Sequence, residues 1–209
     1  MPDTSPTLAA ERVQRHAAVD RVFHWIVALA VLTLLATGLL PVAGVKFSWV
    51  TIHWITGVVL ALAVVFHLIR ATFWQRLRCV WIGLKDLRNA LAHRRAAKYS
   101  LAQKLMHNGM TGVILTLVIT GLCMLAKVET PWWKRNPYFF AADTWGVVYV
   151  LHGAAALLTV TLVMIHVYFA LLPEKRVYLR AMWRGWDTPS EFAVYHDPAR
   201  WPGSGGERR

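Results

Sequence analysis

The chain has 209 residues, of which 56% are hydrophobic and only 16% are charged, and its mean hydropathy is +0.41. About a quarter of the residues of soluble domains are charged, and disordered segments are poor in apolar residues, so this composition excludes both classes. The net charge of +12 does not indicate nucleic-acid binding, because the charged residues lie in blocks between long uncharged runs. We therefore predict an integral membrane protein.

Four long stretches contain no Asp, Glu, Lys or Arg, and each exceeds the ~20 residues that a helix needs to cross a hydrocarbon core of ~30 Å. They predict an all-α membrane protein whose four transmembrane helices form one bundle. We place this bundle at 22–172, between an N-terminal tail at 1–21 and a C-terminal extension at 173–209. The predicted helices lie near 22–41, 51–70, 105–126 and 146–172.

The basic residues predict the orientation of the bundle. With four spans, both termini and the 70–104 connection lie on one side, which then holds 19 of the 23 Lys and Arg residues. Cytoplasmic loops carry the excess of Lys and Arg, so both termini are predicted to be cytoplasmic. The segment after residue 185 contains three prolines and is expected to wrap loosely against the cytoplasmic face, with a disordered tail at 203–206.

An amphipathic helix is predicted in the connection between the second and third spans. Apolar residues recur there every three or four positions, and basic residues fall largely between them. This pattern is typical of a helix that lies on the cytoplasmic lipid surface. Its apolar positions are Trp74, Leu77, Trp81, Leu84, Leu87 and Leu91.

Six of the nine histidines lie in or at the edge of the predicted spans, where ionisable side chains indicate function. His152 and His166 are 14 residues apart, which is about 21 Å along a helix, and they project from one face. His53 is expected level with His152 near the outer surface, and His24 level with His166 near the inner surface. Two facing pairs are what two bis-histidine haems require. Such haems transfer electrons, because both axial positions of the iron are filled.

Alternatives remain open at the level of the residues. His67 also lies at the inner depth, 14 residues from His53, so geometry does not choose between His24 and His67 as the fourth ligand. These histidines could instead make hydrogen bonds between packed helices. Arg21, three residues before His24, is placed to pair with haem propionates. No internal repeat is apparent, although two spans carry histidines at the same spacing.

Segments that match one known family extend from about residue 18 to 202. They are Asp20-Arg21-Val22-Phe23-His24-Trp25, His53 with Gly57 and Arg70, Lys98-Tyr99-Ser100-Leu101-Ala102-Gln103-Lys104, Thr120-Gly121, His152, His166 with Tyr168, and His196 with Trp201. In these segments the sequence resembles the gamma subunits, or cytochrome b subunits, of membrane-bound formate dehydrogenases. The Lys-Tyr-x-x-x-Gln-Lys stretch is the specific mark, since hydrogenase and b561-type cytochromes share the His-Trp opening.

The resemblance implies two haem b groups, with His24 and His166 holding the inner one and His53 and His152 the outer one. His67 is not a ligand position in that family.

The resemblance also implies a quinone site, for menaquinone or ubiquinone, near the inner haem at the entrance to the third span. The residues expected there are Tyr99, Ser100, Ala102, Gln103, Lys104, His107 and His166. The usual Asn and Gly of the family are Ser100 and Ala102 here. The alternative is that Lys98, Gln103 and Lys104 anchor a helix end at lipid headgroups.

The function that the resemblance implies is the electron-transfer subunit of a respiratory formate dehydrogenase in the bacterial inner membrane. The expected partners are an iron–sulfur beta subunit and a molybdenum or tungsten alpha subunit, which oxidises formate. The aromatic outer connection, 127–143, is either a docking surface for the iron–sulfur subunit or only an interfacial belt. The alternatives are the cytochrome b of a nickel–iron hydrogenase or of another molybdoenzyme, and, more distantly, a histidine-relay metal or proton transporter or a plain membrane anchor.

Overall fold

The computed structural model of the protein describes residues 12–74, 80–92, 95 and 98–196. The described residues form seven α-helices, two short strands and one turn of 3-10 helix. In chain order they are β1 (Val13–Gln14), α1 (Ala18–Leu39), α2 (Trp49–Phe73), α3 (Leu84–Leu91), α4 (Leu101–Leu125), α5 (Ala142–Leu171), the 3-10 turn (Pro173–Lys175), α6 (Arg176–Arg184), β2 (Trp186–Asp187) and α7 (Pro189–Tyr195).

Four of the described helices, α1, α2, α4 and α5, are long and apolar enough to cross a membrane, with mean hydropathies between 1.8 and 2.2. They confirm the four predicted spans. The helix α4 begins at Leu101 rather than near 105, because Ser100 and Gln103 form a capping box. The Gln103 backbone N–H donates to Ser100 Oγ at 3.3 Å, and the Ser100 backbone N–H donates to Gln103 Oε1 at 2.9 Å.

The four spans pack as two helical hairpins, α1 along α2 and α4 along α5, and α2 also contacts α4. Their common core lies near the middle of the helices and is small. It consists of Ala30 and Val31 from α1, Leu60 from α2 and Ile114 from α4. Large apolar side chains such as Leu29, Leu62 and Leu157 are more than 60% exposed, which suits helices whose outer faces contact lipid.

The predicted amphipathic helix is shorter than the pattern suggested. Of the six apolar positions, only Leu84, Leu87 and Leu91 lie in α3, while Trp81 precedes it, Trp74 follows the end of α2 and Leu77 lies outside the described residues. The helix starts after Gly83 because the Gly83 backbone N–H donates to Asp86 Oδ2 at 3.0 Å. Trp81, Leu84 and Leu91 are each at least 71% exposed, so the apolar face is present on the shorter helix.

The two ends of the described chain meet at the end of the bundle where α1 begins. Strands β1 and β2 pair antiparallel, and the backbone N–H groups of Arg15 and His16 both donate to the Gly185 carbonyl, at 2.9 and 3.1 Å. Gly185 ends α6 with φ +92°, a conformation that favours glycine. The expectation of a loose wrap after residue 185 was therefore wrong over 186–196, whereas Trp201 and 203–206 lie outside the described residues.

A buried polar cluster locks this junction, which we call the terminal clasp (residues 12–17 and 176–196). Arg15 is 3% exposed and donates to Asp187 Oδ2 at 3.1 Å. Its guanidinium also contacts the His196 ring, which is 1% exposed, and lies 4.6 Å from the centre of the Tyr178 ring. Asp187, His196 and Tyr178 thus surround the guanidinium of a nearly inaccessible arginine, while Arg15 Nε is buried without a hydrogen-bond partner among the described residues.

Candidate functional site

The outer pair of histidines comes from α2 and α5. The ring centres of His53 and His152 are 6.4 Å apart, and the ring planes are inclined by 66°. A bond from imidazole nitrogen to a metal is about 2 Å long, so two imidazoles on opposite sides of one metal have centres roughly 6 Å apart. The spacing of the two rings therefore suits two axial ligands of one iron.

The inner pair comes from α1 and α5. The ring centres of His24 and His166 are 6.2 Å apart, with an inclination of 45° between the planes. The spacing again suits two ligands of one iron. Within the described part of the chain, the Nδ1 atom of His24 is buried without a hydrogen-bond partner. The structure thus pairs His24 with His166 and His53 with His152, the two pairs that the resemblance implies.

His67, the alternative inner ligand, faces a different histidine. Its ring lies 6.2 Å from that of His107 on α4, and it stacks on Phe23 at 4.8 Å with 14° between the planes. We call His67 and His107 the second inner pair. The structure places His24, not His67, opposite His166.

Two threonines that the histidine pattern does not reveal hold the outer pair. Thr37 Oγ1 of α1 lies 2.8 Å from His53 Nδ1, and Thr120 Oγ1 of α4 lies 2.8 Å from His152 Nδ1. Both hydroxyls are also within hydrogen-bond distance of the carbonyl four residues earlier in their own helix, at 2.8 and 2.6 Å. Each outer imidazole is therefore attached to the neighbouring helix of its own hairpin.

A glycine follows each of these threonines and lies against the same imidazole. A Cβ on Gly38 would lie 3.6 Å from His53 Cε1, and a Cβ on Gly121 would lie 3.4 Å from His152 Cε1. These distances are ordinary van der Waals contacts, so the rings lie close to the backbone of the adjacent helix. Side chains larger than alanine would displace them.

The signal that could have identified these threonines is a repeat in the sequence, so the expectation of no internal repeat was wrong. His24 is followed after 13 residues by Thr37-Gly38, and His107 is followed after 13 residues by Thr120-Gly121. The next helix of each hairpin carries two histidines 14 residues apart. The repeating elements are His24, Thr37, His53 and His67 in the first hairpin, and His107, Thr120, His152 and His166 in the second.

The repeat explains the arrangement of the three histidine pairs. In the repeat, His24 corresponds to His107, and His166 corresponds to His67. The pair His24 and His166 therefore corresponds to the pair His107 and His67, and the ring centres are 6.2 Å apart in both. The two outer histidines, His53 and His152, correspond to each other. The second inner pair is thus the internal counterpart of the inner pair.

Arg21 lies in the first turn of α1, three residues before His24, where the sequence predicts a propionate partner. Its Nη1 donates to the Trp183 carbonyl of the clasp at 2.5 Å, and its guanidinium packs against Gly185. In the described part of the chain, Arg21 Nε is buried without a hydrogen-bond partner. An unsatisfied buried donor is costly, and a propionate carboxylate would satisfy it. The residues at the inner site therefore fit a haem.

Six of the seven predicted quinone residues lie at or near the start of α4, and His166 lies in α5. Three of the six fix the start of α4. Ser100 and Gln103 form the capping box. Lys104, which is 9% exposed, donates to both carboxylate oxygens of Asp86, at 2.9 and 3.0 Å, and to the Trp81 carbonyl at 3.0 Å. These contacts fasten the start of α3 to α4.

The remaining members of the predicted quinone set occupy three different settings. Tyr99 packs under the Lys98 ammonium, 5.6 Å from its ring centre, and Ala102 is exposed. His107 belongs to the second inner pair, and His166 belongs to the inner pair. His107 is therefore the member that brings an imidazole to the start of α4 without being one of the four predicted haem ligands.

Two comparisons with known proteins show what the chain is similar to. A family model described as prokaryotic cytochrome b561 matches residues 15–185, a range that includes all three histidine pairs and both threonines. The chain is also 24% identical, over 214 residues, to the formate dehydrogenase cytochrome b556 subunit of Haemophilus influenzae. The alignment covers 91% of this chain and 82% of that protein.

Proposed function

Because the chain belongs to the prokaryotic cytochrome b561 family, we propose that it is the cytochrome b subunit of a respiratory formate dehydrogenase in the bacterial inner membrane. In this role it passes electrons from an iron–sulfur subunit through two haem b groups to a membrane quinone. The observation that carries the proposal is the pair of facing imidazoles at each of two depths. The similarity to the Haemophilus influenzae subunit supports formate as the donor of the complex.

Histidines of this chain would hold the two haem b groups and fill both axial positions of each iron, which leaves no position for other ligands. Haem b with two imidazole ligands takes up and releases single electrons. We assign His53 and His152 to the outer group and His24 and His166 to the inner group, with Arg21 at an inner propionate. His152 and His166 are 14 positions apart, which separates the two sites by about 21 Å along α5.

The outer connection is the proposed docking surface for the iron–sulfur subunit, because electrons have to arrive beside His53 and His152. It presents exposed aromatic side chains, with Trp132 71%, Phe139 61% and Tyr138 90% exposed. Trp132 packs on Trp54, one residue from His53, with ring centres 5.8 Å apart. A partner bound to these side chains would lie next to the outer pair.

Quinone reduction is proposed at the start of α4, where the quinone would take up two electrons together with two protons from the cytoplasmic side. The second inner pair supports this position, because His67 and His107 supply imidazoles able to hydrogen-bond a quinone carbonyl. Ser100, Gln103 and Lys104 support it by fixing the start of α4. Either menaquinone or ubiquinone satisfies these requirements.

The test is purification of the tagged chain from its own membrane in a mild detergent, without oxygen. We expect iron–sulfur and molybdenum or tungsten subunits to co-purify, and formate to reduce a b-type haem spectrum. His53→Ala should abolish this reduction, and His67→Ala serves as the matched control. Reduction by hydrogen but not by formate would assign the chain to a hydrogenase, and a colourless preparation would contradict the cytochrome function.

A further inference from the structure

The outer and inner pairs differ in what holds the Nδ1 atoms of their imidazoles. At the outer pair, both Nδ1 atoms lie 2.8 Å from a threonine hydroxyl. At the inner pair, His24 Nδ1 is buried with no hydrogen-bond partner among the described residues. The imidazoles of the outer pair therefore have a hydrogen-bond partner at Nδ1 that His24 of the inner pair lacks among the described residues.

The geometry allows the threonine hydroxyls to act as acceptors toward the imidazoles. A hydroxyl has one hydrogen, and in Thr37 it is directed to the Thr33 carbonyl at 2.8 Å, while in Thr120 it is directed to the Thr116 carbonyl at 2.6 Å. When Nε2 of an outer imidazole binds iron, the proton of the neutral ring is on Nδ1, which then donates to the threonine hydroxyl 2.8 Å away. This tautomer leaves the lone pair of Nε2 for a metal.

We propose that Thr37 and Thr120 are positioning residues that set the tautomer and orientation of the outer imidazoles and lower the reduction potential of the outer haem relative to the inner one. The proposal rests on haem binding at both pairs. Donation from Nδ1–H to an acceptor makes an imidazole a more basic ligand. A more basic ligand favours the oxidised, more positively charged iron, and so lowers the potential.

The direction of this effect agrees with the direction of electron flow in the proposed function. Two such hydrogen bonds act on the outer haem, whereas His24 contributes none at the inner haem. Gly38 and Gly121 add to the orientation, since the outer rings lie against helix backbone there. An outer haem of lower potential delivers electrons to the inner haem, and hence toward the cytoplasmic side, as a favourable step.

The chain offers a matched control. Thr159 in α5 is completely buried, and its hydroxyl donates to the Ala155 carbonyl at 2.8 Å, as Thr37 and Thr120 do to their own helices. The hydrogen bond described for Thr159 goes to the backbone and not to an imidazole. Thr159→Val therefore removes the same group from the same kind of site without touching a ligand.

The experiment is a potentiometric titration of the b-haem absorbance in the purified membrane complex, for Thr37→Val, Thr120→Val and the double variant. We expect each valine to raise the potential of the outer haem and leave the inner one unchanged. In the double variant, the partition of an electron between the haems should change by up to about tenfold, or about 59 mV. Thr37→Ser and Thr120→Ser should restore the original potentials, and Thr159→Val should not move them.

Two further readouts keep the test decisive. If a valine variant loses haem, loss of the outer haem alone that serine reverses supports the proposal, and loss of both haems matched by Thr159→Val contradicts it. The electron paramagnetic resonance signal of the oxidised outer haem should shift in the valine variants, since it reports ligand orientation. Two haems with unmoved potentials would overturn the threonine assignment alone, whereas a preparation without haem would overturn the proposed function as well.

Discussion

At the scale of single residues, each outer imidazole is held between a hydroxyl and a glycine of the neighbouring helix. Gly121 leaves 3.4 Å between a Cβ position and His152 Cε1, which is enough for a methyl group. Branched side chains would extend further toward the ring. The size of residue 121 is therefore expected to limit haem binding at the outer site.

Gly121→Val is predicted to reduce the b-haem content from two groups per chain to one, because its methyl groups would push His152 away from His53. Gly121→Ala is predicted to keep both groups. The measurement is haem content per chain after extraction. Gly112→Val, at a position of α4 where nothing lies within 4 Å of the Cβ, is the control. Full haem content in Gly121→Val would show that the ring is not confined there.

His16 of the terminal clasp makes the stability depend on pH. Burial, followed by the neighbouring charges of Arg15 and Lys98, lowers the pKa of His16 from 6.5 to about 4. Between these two values the unfolded chain binds a proton that the folded chain does not. Stability is therefore predicted to fall as the pH falls from 6.5 to 4, by at most about 1.4 kcal/mol per pH unit.

Thermal denaturation in detergent at several pH values measures this dependence. His16→Gln removes the titrating group, so its melting temperature should depend less on pH within that window than that of the unchanged chain. Parallel curves for the two proteins would contradict the assignment of the pH dependence to His16.

The candidate histidines were predicted at this scale, but Thr37 was not. Histidines without charged neighbours in a membrane span are conspicuous, and their depth follows from the helix rise. The contact between Thr37 and His53 depends on how α1 and α2 are rotated against each other, which the sequence of either helix alone does not specify. Threonines in helices also commonly donate their hydroxyl to a carbonyl of their own helix, as Thr72 and Thr161 do, so a threonine in a span does not by itself indicate a contact with a histidine.

At the scale of elements, the start of α4 is held by an ion pair that is largely withdrawn from solvent. The side chains of Lys104 and Asp86 are 10% and 26% exposed. The pair connects α3 to the span that carries His107 and Thr120. Removing one partner leaves the other charge uncompensated, which is more damaging than removing both.

Asp86→Asn is predicted to destabilise the protein by about 2 kcal/mol, less than the roughly 3–5 kcal/mol of a fully buried pair because Asp86 is partly exposed. The double variant Asp86→Asn, Lys104→Met should recover most of the loss. Thermal denaturation in detergent is the measurement, with Asp143→Asn, an exposed carboxylate, as control. A double variant less stable than Asp86→Asn would contradict an ion pair of this kind.

Element ends were predicted less well than element positions, for physical reasons. The gaps between charged residues locate each span, because charges are expelled from hydrocarbon. They do not locate its last turn, which capping side chains determine, as Ser100 and Gln103 do for α4. The short pairing of β1 with β2 joins residues more than 170 positions apart, and no local sequence pattern predicts it.

At the scale of the whole molecule, the two hairpins have the same pattern of histidines, but the two inner histidine pairs have different surroundings. The repeat supplies a histidine pair on either side of the bundle at the inner depth. In the described part of the chain, Arg21, three residues before His24, has a buried Nε without a hydrogen-bond partner, whereas Arg70, three residues after His67, pairs with Asp20. The clasp, with Trp183 against Trp25 at 4.4 Å, covers that side. The two inner pairs can therefore serve different purposes, one as proposed haem ligands and the other at the proposed quinone site.

The predicted orientation can be tested with single cysteines. In a chain whose natural Cys79 and Cys123 are replaced by serine, Lys134→Cys should react with a membrane-impermeant thiol reagent in spheroplasts, whereas Glu174→Cys should react only after permeabilisation. Both positions are exposed in the structure. The excess of basic residues on the side of the termini is the reason for this expectation. The opposite labelling pattern would place the termini outside and reverse the proposed direction of electron flow.

Haem quantification on the purified chain and its single histidine variants tests the central claim most directly. We predict two b-type haems in the unchanged protein. One group should be lost in His24→Ala or His166→Ala and a spectrally different one in His53→Ala or His152→Ala, with both retained in His67→Ala. A colourless protein, or loss of a haem in His67→Ala but not in His24→Ala, would contradict the assignment of the two pairs.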